Sequence, residues 1–231
     1  MLVLIWLSQF ASFAAIVGWG LNESGQLSVP ASATNVVSLA AGHAHSVALN
    51  GDGTIVVWGD NSGKQVAAKP ESRRIRTITA SGVYTIASET NYAYVWPPGD
   101  LADKPAGLTN IVEVATDAFH ATALRGDGTV SSWVKTLYPE TMPTSLSNVV
   151  AVGPAMAVLA HGSVVNWGRR IGALATFPPD LTNVVAVAGF PPIFLLTTGR
   201  SGRRQIRPPA SAILLRSEQV QIMSLCALMG A

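Results

Sequence analysis

The sequence contains few of the residue types that mark a catalytic or metal-binding protein. Its single cysteine, Cys226, excludes an internal disulfide, a thiolate metal site and a C-x-x-C redox motif. No G-x-S-x-G segment marks a catalytic nucleophile. Charged residues make up only 12% of the 231 residues and hydrophobic residues 48%, a composition typical of a folded core rather than a disordered chain.

Positive charge is scarce outside the C-terminal segment. Residues 200–231 contain five arginines and one glutamate, so residues 1–199 carry 10 basic and 12 acidic side chains. A basic surface for nucleic acid is therefore not expected in this larger part, and no nucleic-acid partner is predicted. The arginines of the tail are interpreted as a solvated segment rather than a phosphate-binding site.

The two ends of the chain differ from its middle. Residues 1–14 are almost wholly apolar but too short to span a bilayer, so no transmembrane span is predicted. Ser12 and Ala14 suit a cleavage site after Ala14, which predicts a signal peptide and a secreted or cell-surface protein. Alternatively, the segment is a strand or helix that packs on the domain of a cytoplasmic protein. Residues 15–199 are predicted to form a repeat domain, and residues 200–231 a tail that is partly helical or disordered.

A period near 37 residues runs through the middle of the chain. Asn35–Gly59 and Asn110–Trp133 share the same spacing of apolar runs around a Gly-Asp-Gly turn. Such a period indicates a solenoid, propeller or array, and the absence of sustained helical spacing leaves strands. Three short strands per repeat predict an all-β propeller of about five three-stranded blades. The tryptophans that mark the period are Trp19, Trp58, Trp96, Trp133 and Trp167.

The first and last repeats are complementary fragments. Residues 15–20 look like a third strand alone, whereas residues 183–199 supply only two strands. An N-terminal strand that joins the last repeat would close a five-bladed ring and remove its exposed edges. The alternative is an incomplete seven-bladed array.

The pattern of residues 35–65, N-V-V-x-L-A-A-G-x-x-H-S-x-A-L-x-x-D-G-T followed by W-G and a Gly-Lys-Gln segment, resembles the regulator of chromosome condensation repeat. The short period is most similar to bacterial members, which include a propeller-type β-lactamase inhibitory protein. The resemblance implies a β-propeller and a non-enzymatic protein-interaction scaffold. It also implies two alternatives, a regulator of a small GTPase through guanine-nucleotide exchange, and an inhibitor of a secreted enzyme or a cell-surface adhesin.

Several recurring residues are interpreted as structural. His45 and His120 share one repeat position, which Tyr84 fills in the second repeat, so packing and hydrogen bonding are expected there. Neither histidine has an obvious carboxylate partner, and no catalytic residue, cofactor site or metal site is predicted. The repeated tryptophans are expected between blades. Turn glycines with positive φ are predicted at Gly51, Gly53, Gly126 and Gly128.

The loops between the first and second strands carry larger apolar and aromatic side chains. If these loops gather on one face, they form a surface of the kind that protein partners favour. The alternative is that the side chains fill the mouth of a central channel. The identity of the protein partner and the oligomeric state stay open. The residues of this predicted loop face are His43, Val83, Tyr84, Phe119, Met156 and Phe190.

Overall fold

The fold consists of strands that pair locally. The computed structural model describes residues 16–98, 105–117, 119–134, 142–143, 146–167, 181–188, 193–196 and 213–216. These residues contain 15 strands in five three-stranded sheets, and no helix lies among them. The predicted all-β architecture of five three-stranded blades is confirmed. The predicted signal peptide, residues 1–14, lies outside the described residues.

Each of the first four sheets is an antiparallel meander of consecutive strands. Sheet 1 comprises β1 (Val36–Ala41), β2 (His45–Asn50) and β3 (Ile55–Gly59). Sheet 2 comprises β4 (Thr77–Ser81), β5 (Tyr84–Ser88) and β6 (Ala93–Trp96). Sheet 3 comprises β7 (Ile111–Thr116), β8 (His120–Arg125) and β9 (Val130–Val134). Sheet 4 comprises β10 (Val149–Gly153), β11 (Met156–Leu159) and β12 (Val164–Asn166).

The fifth sheet corrects the predicted ring closure. It comprises β13 (Val184–Ala188), β14 (Ile193–Leu196) and β15 (Ile213–Arg216). The third strand therefore comes from the tail, predicted to be helical or disordered, and it pairs with β14 in parallel. Residues 16–20, predicted to fill this place, form no strand. A parallel neighbour needs a long connection, and the chain between Leu196 and Ile213 provides one.

Neighbouring blades pack through their first strands. β1 contacts β4, β4 contacts β7, β7 contacts β10, and β10 contacts β13, so the first strand of each sheet is its inner strand. Within the described ranges, no comparable contact joins sheet 5 to sheet 1. The described strands of the five blades thus form an open array, and the apolar core lies between successive sheets.

The turns between second and third strands tie each blade to the next. The carbonyl oxygens of Gly53, Thr90, Gly128 and Gly162 accept an amide at or just before the start of the inner strand of the following blade, at 2.7–3.2 Å. Gly53, Gly128 and Gly162 have φ of 81°, 78° and 85°, in the left-handed region that favours glycine.

The predicted positive φ at Gly51 and Gly126 is wrong. These two glycines instead make room for the Asn35 and Asn110 side chains, whose Nδ2 atoms would lie within 2.7 Å of an added Cβ. The left-handed residues are the asparagines themselves, with φ of 47° and 51°. Asparagine tolerates this conformation better than other residues with a side chain, which explains the Asn that opens four of the five repeats.

Two of the repeated tryptophans, Trp58 and Trp96, lie on third strands, and their indoles form hydrogen bonds with the chain that precedes the blade. The indole Nε1 of Trp58 donates to the carbonyl of Gln26, and that of Trp96 donates to the carbonyl of Gln65, both at 2.8 Å. Trp58, Trp96 and Trp133 are buried. Trp167 is half-buried and donates to Ser132 Oγ at 3.2 Å. Trp19 is half-buried and lies outside the strands.

Replacing Trp96 with phenylalanine is expected to lower the free energy of unfolding by about 2 kcal/mol. The change leaves the Gln65 carbonyl without its donor and opens a gap beside a ring that is only 2% exposed. Urea unfolding of the full chain measures the loss. Trp19→Phe is the control, and an equal loss there would contradict the role of the hydrogen bond.

Candidate protein-binding surfaces

The predicted loop face is only partly exposed. His43 is exposed, the Val83 side chain is 45% exposed, and Phe119 is half-buried. The amide of His43 donates to the Gly82 carbonyl at 2.8 Å, so the first two of these loops lie side by side. Phe190 lies outside the described residues. The loop face that remains consists of His43, Val83 and Phe119.

The predicted loop face is wrong at Tyr84 and Met156, which begin second strands and are buried. Tyr84 begins β5 and packs between sheets 2 and 3 beside Ile86 and Trp133. Met156 begins β11 and is fully buried beside Phe194. Each is the first residue of its strand, and the strand directs its side chain into the core. They therefore cannot contact a partner.

His45 is a buried ring that links two blades. Its Nε2 lies 2.8 Å from Thr85 Oγ1 of the next sheet. Gly42 passes over the ring, and an added Cβ there would collide with it. Burial lowers the pKa of His45 to about 4, against a smaller opposing effect of Asp60. The ring is therefore neutral at pH 7, and His45 has a structural role in joining the two blades.

His120 has the carboxylate partner that the sequence analysis did not find. Its Nδ1 lies 3.0 and 2.9 Å from the two carboxylate oxygens of Asp117. Asp117 Oδ1 also accepts the amides of Phe119 and His120 at 2.6 and 2.7 Å. Both partners are buried, His120 to 1% exposure. The pair shapes the turn before β8 and offers no access to a substrate.

An exposed apolar feature that the sequence analysis missed lies on the inner strands. Four inner strands have a β-bulge at their second residue, where the register shifts and the side chain turns outward. The residue is valine each time, 40–54% exposed. We call this set the valine row: Val37, Val112, Val150 and Val185. The recurring second apolar residue of N-V-V and N-I-V was the available signal, but alternation alone does not reveal a bulge.

A groove of about 740 Å³ lies on the outer rim of sheet 2. It runs between the connection of residues 68–74 and strand β6, and we call it the rim groove. Its polar and aromatic lining residues are Glu71, Ser72, Arg73, Arg74, Glu89, Tyr92, Tyr94 and Trp96.

One carboxyl group of the inner strands is half-buried at a blade interface. Glu113 in β7 accepts the amide of Val152 in β10 at 3.2 Å and so joins sheets 3 and 4. Burial raises the pKa of Glu113 to about 7, although this hydrogen bond acts in the opposite direction. A carboxyl group that is half protonated near neutral pH lies at this blade interface.

In the part of the chain that the structure describes, no group of three or more His, Cys, Asp or Glu side chains could hold a metal ion. Within the same ranges, no helix is long and apolar enough to cross a membrane.

The comparison with known families agrees with the repeat geometry. Residues 36–65, which span sheet 1 and the loop that follows, match the model of the regulator of chromosome condensation (RCC1) repeat. The chain carries an RCC1 repeat. The matched segment contains the turn, the tryptophan and the glutamine loop that the fold uses to join blades. No curated protein matches the chain.

Solved structures with a similar fold share little sequence with the chain. A chain of the complex of Kap60 with yeast RCC1 (Prp20) is 17% identical, with a TM-score of 0.50, over 69% of this chain and 53% of that one. Prp20p from Saccharomyces cerevisiae is 18% identical, with a TM-score of 0.49, over 69% and 55%. The CRINKLY WD40 ectodomain of the Arabidopsis thaliana receptor kinase ACR4 is 23% identical, with a TM-score of 0.48, over 64% and 54%.

These likenesses concern the fold. The aligned part spans about half the length of each of these structures. None of the three is a β-lactamase inhibitor, so the resemblance to that bacterial protein stays a prediction.

Proposed function

We propose that the chain is a non-enzymatic scaffold that binds a protein partner through the valine row. The observation that carries the proposal is the outward valine at one repeat position of four blades. Single exposed valines are ordinary, but aligned apolar side chains on successive strands form a patch of the kind that marks an interface. Val112, Val150 and Val185 lie on three consecutive inner strands that contact one another.

The repeat fold also suits a scaffold. Each blade contacts mainly its neighbours, and the shared hydrogen bonds between turns and inner strands hold the row on a backbone of defined geometry. An interface that is organised before binding costs less ordering entropy. Yeast RCC1, which is similar in fold, is solved in complex with a protein, Kap60.

The decisive experiment compares two variants that each replace three exposed apolar residues with serine. In V112S/V150S/V185S the row becomes polar, whereas V17S/L21S/V29S changes three exposed apolar residues before sheet 1. Immobilised wild type and both variants are used to capture proteins, which are identified by mass spectrometry. We expect a protein retained by the wild type and the control variant to be lost from the row variant. Equal capture by all three would contradict the proposal.

The finer functions that the resemblance implies have separate tests. A regulator of a small GTPase must accelerate nucleotide release from the GTPase, which a fluorescent nucleotide measures. An inhibitor of a secreted enzyme must slow that enzyme, and it requires export, as does a cell-surface adhesin. Export predicts that residues 1–14 are absent from the mature protein, which mass spectrometry of its N-terminus measures.

A further inference from the structure

The second repeat departs from the other repeats at residues that meet in space. Arg74 occupies the place of the asparagine that opens the other four repeats. The register of the hairpins places Glu89 where the first repeat has Asn50, and Tyr92 and Tyr94 where it has Thr54 and Val56. All four departures, Arg74, Glu89, Tyr92 and Tyr94, line the rim groove. The fold of a blade does not require them, since the neighbouring blades form without them.

The interior of the groove is organised by hydrogen bonds. The hydroxyls of Ser72 and Tyr94 both donate to Glu89 Oε1, the latter at 2.8 Å. The rings of Tyr92 and Tyr94 meet edge to face, with centroids 4.7 Å apart. Tyr92 is nevertheless 46% exposed. The groove thus presents a fixed aromatic wall to solvent.

Two arginines, Arg73 and Arg74, and two glutamates, Glu71 and Glu89, line the groove. Glu71 pairs with Lys69 at 2.9 Å, and Glu89 is engaged by the two hydroxyls. Arg73 and Arg74 are exposed and form no ion pair with any described residue. Exposed arginines beside tyrosines are the combination that dominates the binding energy of protein interfaces.

The geometry points to the rim groove as a docking site for an extended, acidic peptide segment of a protein partner. Carboxylates of the peptide pair with the guanidinium groups of Arg73 and Arg74, which suit bidentate contacts. The chain of the peptide lies along the Tyr92 and Tyr94 rings. A peptide is favoured over a nucleic acid because residues 1–199, which include the groove, carry 10 basic and 12 acidic side chains, whereas a nucleic-acid site is expected in a basic region.

Fluorescence anisotropy tests this site with a labelled decapeptide of glutamate and the full chain. We expect wild type to bind the deca-glutamate probe and not a deca-glutamine probe. R73Q/R74Q should weaken binding about tenfold or more, because the anionic groups lose both partners. The control K64Q/R125Q removes two positive charges outside the groove and should change the dissociation constant by less than about twofold, because distant exposed charges are screened.

Two further measurements separate the groove from general attraction of anions. Tyr92→Ala keeps every charge and should weaken deca-glutamate binding about threefold or more, because an exposed aromatic contact is lost. A ten-nucleotide oligothymidylate should not displace the peptide at equal concentration. The proposal is overturned if the oligothymidylate displaces it, which would indicate a nucleic-acid site. It is also overturned if R73Q/R74Q and K64Q/R125Q weaken binding equally, or if deca-glutamate does not bind.

The rim groove and the valine row lie on different strands, so the two proposals fail independently. The row variant V112S/V150S/V185S should bind deca-glutamate like wild type. Thermal unfolding checks that every variant is folded, and R73Q/R74Q should melt at the temperature of the wild type because both arginines are exposed.

Discussion

Replacing Gly53 with alanine is expected to lower the free energy of unfolding by about 3 kcal/mol. A left-handed φ costs an L-residue about 1–2 kcal/mol relative to glycine, and Gly53 has φ of 81°. The added Cβ would also collide with the carbonyl oxygen of Arg73, a backbone atom that cannot move away alone. Relieving the collision would stretch the 3.2 Å bond from the Ile75 amide to the Gly53 carbonyl. Sheets 1 and 2 would therefore separate at this turn.

Gly25→Ala is a matched control for this prediction. Gly25 has φ of 75°, but nothing lies within 4 Å of an added Cβ. Its loss should be only the backbone cost of about 1 kcal/mol. Urea unfolding of the full-length variants gives both values. If the two glycines cost the same, the contact between the turn and the next blade contributes nothing measurable.

The second large effect concerns the pH dependence of the free energy of unfolding. His45 and Glu113 contribute to it with opposite signs. His45 has a folded pKa of about 4 against 6.5, so its contribution to stability is lost as pH falls from 6.5 to 4. Glu113 has a folded pKa of about 7 against 4.5, so its contribution is lost as pH rises from 4.5 to 7. Between pH 4.5 and 6.5 unfolding therefore releases a proton from Glu113 and takes up a proton at His45, so the wild-type profile should be nearly flat.

Replacing Glu113 with glutamine should reveal the pH dependence of stability that comes from His45. The glutamine keeps an acceptor for the Val152 amide but does not titrate. The free energy of unfolding should then rise by about 1.4 kcal/mol per pH unit, or about 2–3 kcal/mol from pH 4.5 to 6.5. Urea titrations at pH 4.5, 5.5 and 6.5 measure this slope. His45→Gln should give a slope of the opposite sign, and a flat profile for both variants would exclude the shifted pKa values.

The lowered carboxylate pKa values do not disturb this experiment. Hydrogen bonds from Thr54 and Thr129 lower the pKa of Asp52 and Asp127, and those from Ser62 lower that of Asp60. The stability they contribute is present above the unfolded pKa of 3.8 and is lost below it. The window from pH 4.5 to 6.5 therefore lies above their range. Glu89, whose pKa hydrogen bonds from Ser72 and Tyr94 lower from 4.5, contributes at the lower edge of the window and acts equally in wild type and both variants.

Some site residues have an exposure that follows from the neighbouring sequence, and others do not. The exposure of His43 in a loop could be read from the turn that contains it. Tyr84 and Met156 could not, because a one-residue change in where a strand starts reverses the face of a side chain. The valine row depends on a bulge, which inserts a residue without a sequence mark of its own. The partners His120 and Asp117 lie three residues apart, but only the turn brings their side chains together.

The sequence by itself determined the strands of the first four blades, the places of the hairpin turns and an expectation of about five blades. These depend on local chemistry, such as the glycine of Gly53, the asparagine of Asn110 and the spacing of the tryptophans, which repeats with the period. Only the tertiary structure decided that the third strand of sheet 5 is β15 from the tail and that no described strand of sheet 5 packs on sheet 1. Pairing between distant segments depends on which edges meet in space, because any strand can satisfy an open edge.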